Sequence, residues 1–388
     1  MENYKILLLL RMSRVFGRGL IQGIVKYSRL QGPWVFFKEP VYYLDKAERK
    51  MSLSRLKKME IDGVIMHEIY ETEEMTKLGL PTIILPTSQR GRYSPMNEIV
   101  ADDHAIGKMC AEHFLVRGFK NFACCGYHDM FWSKERGVAF AENISHAGYK
   151  THIYEPPETK VRYLWENEQN NLANWLKELP KPVGIMACND ERGEQILEVC
   201  RIAQLQIPEQ VAVIGVDNDE MICDLSTPPL SSTALNTVKA GYEAAKLMDE
   251  MLSGKKIVNR TISVEPTHII TRQSTDILAV KDPVVADALR FINQNSKRPV
   301  QVGEVLDAVQ ISHTILLEKF RESIGRNIHE EIQRVRIEEF ARVIIETNLP
   351  IYQISNKLNF TSYKHVSRQF KRQKGMSPSA YRKMYALP

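Results

Sequence analysis

IYQISNKLNFTSYKHVSRQFKRQKG occupies residues 351–375. It reads as a short helix, a tight turn, a second helix opening after Ser362, and a closing glycine, Gly375. The same order occurs upstream in VGEVLDAVQISHTILLEKFRESIG, residues 302–325, with Ser312 before the second helix and Gly325 after it. A phenylalanine follows each serine at the same distance: Phe320 after Ser312, Phe370 after Ser362. A helix, a turn of three or four residues and a second helix make the helix-turn-helix unit, whose second helix enters the major groove of DNA. Each serine is expected to cap its helix. Asn359 stands in the second turn, and asparagine tolerates the left-handed backbone that a turn needs. Gln310, in the first turn, fits less well.

Between the two units Ile328, Ile332, Val335, Ala341, Ile344 and Ile345 repeat at helical spacing. A helix over residues 329–347 would run ~28 Å, against ~34 Å for one turn of B-DNA. Such a spine could hold two reading heads in successive major grooves on one side of a duplex; an ordinary helical bundle is the plainer alternative. Upstream, Asp282 followed by Pro283 reads as a helix start, and Val285, Leu289 and Ile292 continue it. The stretch 274–283 reads as a linker, and everything after it as helix.

Charge is divided in the same way. From Pro283 onward there are 17 Lys/Arg against 10 Asp/Glu, while residues 1–282 hold 35 against 37. Eight basic residues and no acid follow Glu346. A basic tail on a near-neutral body is the footprint of a nucleic-acid module, although a solvated basic face gives the same count.

The first part of the chain alternates apolar runs with amphipathic stretches. The runs are KILLLL (5–10), WVFF (34–37), GVIM (63–66), TIIL (82–85), FACC (122–125), VGIMAC (183–188) and VAVIGV (211–216). Continuous apolar strands between helices, such as those expected over 172–179 and 193–202, predict doubly wound parallel sheets covered on both faces. Ligands in such folds bind beyond the carboxyl ends of the strands. Arg11 and Ser13, His67 and Glu68, Asn189 and Asp190, and Asp217 and Asn218 stand there. Each alone would serve equally as a helix cap.

Six cysteines, all before residue 224, show neither CxxC nor Cys/His metal spacing and read as buried small hydrophobes in a reducing compartment. The run 6–10 is too short for a signal core, and no apolar stretch approaches ~20 residues, so a soluble, cytoplasmic chain without membrane contact is expected. Gly17, Gly19 and Gly23 miss the dinucleotide spacing by one residue and fit close helix packing better. His67-Glu68 lacks the second His of a zinc-protease motif, and no cofactor or metal site is expected. A sugar-acting enzyme remains the reading from another class.

The tail closely resembles the AraC-type regulators. Ile351, Ile354, Phe360, Phe370, Lys371, Gly375, Pro378, Tyr381 and Arg382 match the family's closing pattern. Ser355, Asn359 and Val366 depart from its usual alanine, glycine and aromatic or leucine. The resemblance assigns Tyr363, Lys364, His365 and Arg368 to base reading, with Lys371 and Arg372 on phosphate, and His313, Thr314, Leu317 and Glu318 to the first head. Arginine and lysine suit guanine, glutamate accepts from cytosine, and leucine can only pack on a thymine methyl.

VADDHAIG (100–107), WSKERGVAF (132–140), ACNDERG (187–193) and VIGVDN (213–218) are similar to the periplasmic-binding-protein-like effector domain of LacI-type repressors. This order of domains resembles the xylose operon regulator family. The resemblance implies a sensing domain over 1–275, a linker over 276–283 and a DNA-binding domain over 284–388. It implies Asp102, Arg136, Asn189 and Asp217 as sugar ligands, with Trp132 stacking on the sugar and Arg11 and Ser13 nearby. Carboxylates, amides and guanidinium groups can each engage neighbouring hydroxyls. The implied effector is a pentose, D-xylose ahead of arabinose. The implied partners are double-stranded DNA, a second copy of the chain and RNA polymerase, as for an activator.

Overall fold

The computed structural model describes residues 3–38, 59–68, 77, 79–155, 165–277 and 282–385. The chain divides into two compact units, one of residues 1–105, 127–136 and 235–266, the other of 106–126, 137–234 and 267–388.

The first unit carries a six-stranded sheet in the order β11-β5-β4-β3-β1-β2. Its strands are β1 (Lys5–Leu9), β2 (Val35–Lys38), β3 (Gly63–His67), β4 (Thr82–Leu85), β5 (Asn97–Ala101) and β11 (Thr261–Val264). All five neighbouring pairs run parallel. Helix α1 (Val15–Gln31) packs on α7 (Thr237–Leu252), and the glycines of α1 are what allow it. A Cβ on Gly19 would fall 1.9 Å from Thr237 Oγ1, and one on Gly23 1.9 Å from the Val238 carbonyl oxygen. These glycines serve helix packing rather than a phosphate.

The second unit holds another six-stranded sheet, β12-β10-β9-β8-β6-β7. It is built from β6 (Asn121–Cys125), β7 (Thr151–Tyr154), β8 (Val183–Ala187), β9 (Val211–Asp217), β10 (Ser231–Leu235) and β12 (Pro266–Ile270). Among the described residues five strands have no apolar run to announce them: β5, β7, β10, β11 and β12. Strand β10, SSTAL, is the plainest case. Ser231, Ser232 and Thr233 are fully buried, and protein groups satisfy their hydroxyls. Ser231 Oγ donates to the Arg272 carbonyl, Ser232 Oγ to Asp190, and Thr233 Oγ1 pairs with Cys110 Sγ at 3.3 Å. The six cysteines are free and buried.

The first residues of the stretch 274–283 are part of the packed sheet core. Ser274 and Thr275 are fully buried in a 3-10 turn, Gln273–Thr275. Ser274 Oγ donates to the Val213 carbonyl at 2.7 Å, and Thr275 Oγ1 bonds Ser231 Oγ and His113 Nε2. Polar composition marked a loop here, but these groups are tied into the sheet core. Residues 278–281 lie outside the described residues.

From there the chain is helical. Asp282 caps α8 (Pro283–Gln294), accepting from Val284 N and Val285 N. Helices α9 (Val302–Val309) and α10 (His313–Ile324) form the first helix-turn-helix unit, and α12 (Ile351–Lys357) and α13 (Tyr363–Lys374) the second; α14 (Pro378–Tyr385) is the last described element. Helix α11 (Ile328–Glu346) is the spine between them. Its Ile328, Ile332 and Val335 enter the first core with Val305, Leu316 and Phe320. Its Ile337, Phe340, Ala341 and Ile344 enter the second with Ile354, Val366 and Phe370. Ser312 and Ser362 occupy the N-cap positions as expected, yet neither side chain makes a capping hydrogen bond. Position was legible there; rotamer was not.

Candidate functional site

The strand ends of the first unit form a polar edge. Arg11 and Ser13 follow β1 and are exposed. Asp102 follows β5, and its Oδ1 accepts from Ala105 N at 2.8 Å, so it caps the helix α2 (Asp103–Leu115). Trp132 and Arg136 lie one turn apart at the start of α3 (Phe131–His146). The Arg136 guanidinium sits 4.9 Å from the Trp132 ring centroid, and its Nε donates to Asp103 Oδ1 at 2.8 Å. One indole face is thus under a cation, and the cation is anchored by a carboxylate absent from the sequence-based set. Burial pushes the Asp103 carboxyl up, against the pull of Arg136.

Glu68, beyond β3, organises the segment that follows β4. Its carboxylate accepts from Thr87 N, Ser88 N at 2.7 Å, Thr87 Oγ1, Ser88 Oγ, Arg92 Nη1 and Tyr93 Oη. Burial opposes its ionisation, but these hydrogen bonds prevail and hold its pKa at about 2. Beside it, burial and then the charge of Arg11 lower the His67 imidazole to about 4, so the ring is neutral near pH 7.

The second unit presents its own strand-end set. Asn189 follows β8 and is buried; its Oδ1 accepts from Arg192 N at 3.0 Å, capping α5 (Asp190–Ile202). Asp217 ends β9 with a φ of 104°, a left-handed backbone rare outside glycine. Asp190 is also buried, and its Oδ2 accepts from Asp219 N at 2.7 Å. Burial, and next the charge of Asp217, push the Asp190 carboxyl well up. Asp102 and Asn189 therefore have cap roles. Asp103, which the sequence-based set left out, is the buried member of the first pair, whereas Asn189 and Asp190 are both buried.

On the DNA side, His313, Thr314 and Glu318 of α10 are exposed, as are Tyr363, Lys364, His365, Arg368, Lys371 and Arg372 of α13. Leu317 differs: it is half-buried and packs against the first core. Arg382, matched in the closing pattern, donates through Nε to the Ile344 carbonyl and ties α14 to the end of the spine. Arg336 of the spine donates to the Leu358 carbonyl and stacks 3.9 Å from the Phe360 ring centroid, fixing the second turn.

The helical part also touches the sheet of its own unit. Arg326 Nη2 donates to the Val116 carbonyl at 3.0 Å, and Tyr381 Oη to the Thr267 carbonyl at 3.2 Å. Glu331, buried, is held between Arg326 and Arg334. Among the described residues there is no cluster able to hold a metal and no helix long and apolar enough to cross a membrane.

The comparisons agree with this anatomy. Residues 111–275 match the periplasmic binding protein-like domain, and residues 305–384 the helix-turn-helix domain. The chain is 30% identical to the xylose operon regulatory protein of Haemophilus influenzae over 391 residues, covering 98% of each chain. It is 30% identical to that of Escherichia coli K12 over 389 residues, covering 98% of this chain and 97% of the relative. A solved structure of the xylose-binding transcription activator xylR matches with a TM-score of 0.61 and 29% identity, covering 100% of both chains. A periplasmic binding protein/LacI regulator from Alkaliphilus metalliredigens, complexed with D-xylulofuranose, shares the fold at a TM-score of 0.54 and 18% identity, over 71% of this chain and 99% of its own. With two periplasmic-binding-protein-like sheets followed by twin helix-turn-helix units, the chain belongs to the xylose operon regulatory protein family and is a sugar-responsive, DNA-binding transcription regulator, not an enzyme.

Proposed function

We propose that the chain activates genes of D-xylose use in the cytoplasm, by binding the free sugar and, as a homodimer, paired DNA half-sites beside RNA polymerase. The observation that carries this reading is full-length similarity to xylose operon regulators, with the sensing and DNA-reading parts in the same order. The sensing domain is taken as residues 1–275, joined through 276–283 to a DNA-binding domain over 284–388.

The sugar ligands proposed are Arg11, Ser13, Asp102, Trp132 and Arg136 of the first unit, and Asn189 and Asp217 of the second. The stacked pair Trp132–Arg136 supports the first set: it offers one aromatic face for the apolar side of a sugar ring and guanidinium N–H groups for its hydroxyls. Asp217, set in a left-handed backbone at a strand end, is the charged acceptor. A hydrogen bond to a charged group is worth ~1.5–3 kcal/mol, so Asp217→Ala should weaken D-xylose binding by about that much in calorimetry. Unchanged affinity would remove Asp217 from the site. Thermal shifts over pentoses and hexoses decide the effector, because a ligand of the folded state raises apparent stability. Stabilisation by arabinose and not by xylose would reassign it.

A further inference from the structure

His67 is the last residue of β3, a strand flanked by β1 and β4. It therefore lies at the polar edge with Arg11 beyond one neighbour and Thr87 and Ser88 beyond the other. Its Nδ1 is cut off from solvent and has no hydrogen-bond partner, while the residue as a whole is partly exposed. Buried polar atoms are almost always paired, so an unpaired one asks for a reason. Glu68, next in the chain, does not compete for the same task. Its two oxygens are taken up by Thr87, Ser88, Arg92 and Tyr93.

A neutral imidazole carries one N–H and one bare nitrogen. A proton on Nδ1 would be a buried donor with nothing to accept it. The tautomer of lower cost puts the hydrogen on Nε2. We propose that His67 is a sugar-recognition residue of the first unit, donating its Nε2–H to one particular hydroxyl oxygen of the bound pentose. This rests on the sugar-binding reading above. The surrounding chemistry is consistent: burial first, then the charges of Arg11 and Arg14, keep the ring neutral against the opposing charge of Glu68.

The test is calorimetry on the full-length protein with D-xylose and with analogues lacking one hydroxyl each. Wild type, His67→Phe and His67→Gln are compared, with melting temperatures recorded alongside. Losing one hydrogen bond in a dry site costs about tenfold in affinity. Wild type should lose about tenfold for one analogue through this contact. His67→Phe should bind D-xylose about tenfold more weakly and no longer distinguish that analogue from the parent sugar. His67→Gln, whose amide nitrogen lies near the Nε2 position, should recover part of the discrimination. Should His67→Phe unfold, His67→Asn, whose amide cannot reach that position, replaces it with the same expectation. Equal weakening of every sugar by His67→Phe would overturn the assignment in favour of packing, and so would wild-type affinities. A wild-type protein that binds no pentose would instead bring down the sugar reading, and His67 with it.

Discussion

The two helix-turn-helix units share one spine and one plan, yet their outer faces differ in charge. From Ser312 and Ser362 to Gly325 and Gly375 the positions correspond one to one, and Phe320 and Phe370 are both fully buried. Outside, α13 carries Lys364, Arg368, Lys371, Arg372 and Lys374 and no acid. Helix α10 carries Lys319 and Arg321 against Glu318 and Glu322, and Lys319 is drawn back to Asp282. Glu318 stands where Arg368 stands in the second unit. Packing in the cores tolerates little variation, whereas solvent-facing positions are free to serve recognition. In the proposed assignment the second unit supplies the electrostatic grip, and the first adds selectivity at low net charge.

The cores give the strongest test of that likeness. Phe320→Ala and Phe370→Ala should each cost ~3–5 kcal/mol of stability in denaturant unfolding, the usual range for a buried aromatic. A cost below ~1 kcal/mol at either would mean that the two units are not packed on the same principle.

The spine is anchored unequally, and Glu331 shows it. This buried carboxylate is gripped by Arg326 and Arg334 at the first unit's end of α11. Removing one partner of a buried pair costs ~3–5 kcal/mol, so Glu331→Ala should destabilise nearly as much as the phenylalanine changes. Burial opposes the charge, but the hydrogen bond and charge of Arg334, helped by Arg326, win and lower the Glu331 pKa. A lowered carboxylate contributes stability fully above its unfolded value of ~4.3 and loses it as pH falls through the folded value. Acid titration of stability should therefore be shallower in Glu331→Gln than in wild type below about pH 4.3. An unchanged slope would mean that Glu331 does not carry this acid sensitivity.

DNA contacts come next in size. Arg368→Ala should lose ~1–3 kcal/mol and relax preference at one base pair. Lys371→Ala should weaken all sequences alike and flatten the salt dependence by about one unit of slope. Glu318→Ala should keep total affinity within about twofold while relaxing a cytosine preference. A uniform loss for Arg368→Ala would demote it to a phosphate contact, and a large loss for Glu318→Ala would contradict the division of labour.

The smallest effects sharpen the comparison of turns. Gln310 and Asn359 both adopt left-handed backbone, with φ of 52° and 53°. Glutamine there costs ~1–2 kcal/mol, and asparagine less. Gln310→Gly should raise stability by up to ~1 kcal/mol, since glycine's extra freedom in the unfolded chain takes back part of the relief. Asn359→Gly should change little. Ser355, fully buried with an unpartnered Oγ, should gain ~1 kcal/mol as Ser355→Ala in thermal unfolding. No gain would mean that its hydroxyl is satisfied in solution.

The same contrast explains what the sequence could tell. Periodicity displays packing, so the apolar strands, the α11 spine and both heads were legible. Strand β10 was not, because SSTAL hides buried hydroxyls whose partners come from Asp190, Arg272 and Cys110, far along the chain. The strand-end motifs were found, but not which aspartate of the pair Asp102–Asp103 faces inward. Helix phase sends Asp103 to Arg136 and leaves Asp102 as a cap. Leu317 was assigned to DNA by position, whereas its apolar side chain is shared with the first core.

A single sugar should change how this pair of heads holds DNA. A ligand shifts DNA binding only if it favours one arrangement of the protein over another, and the effect must be reciprocal. The direct measurement is a footprint titration of the full-length protein on DNA selected from a random library. Paired half-sites and a single half-site are compared, with and without D-xylose. The account predicts that D-xylose tightens binding to the paired site by about tenfold or more and leaves the single site nearly unchanged, with D-xylose binding tightened equally by the paired DNA. Superimposable titrations with and without D-xylose on both DNAs would contradict it.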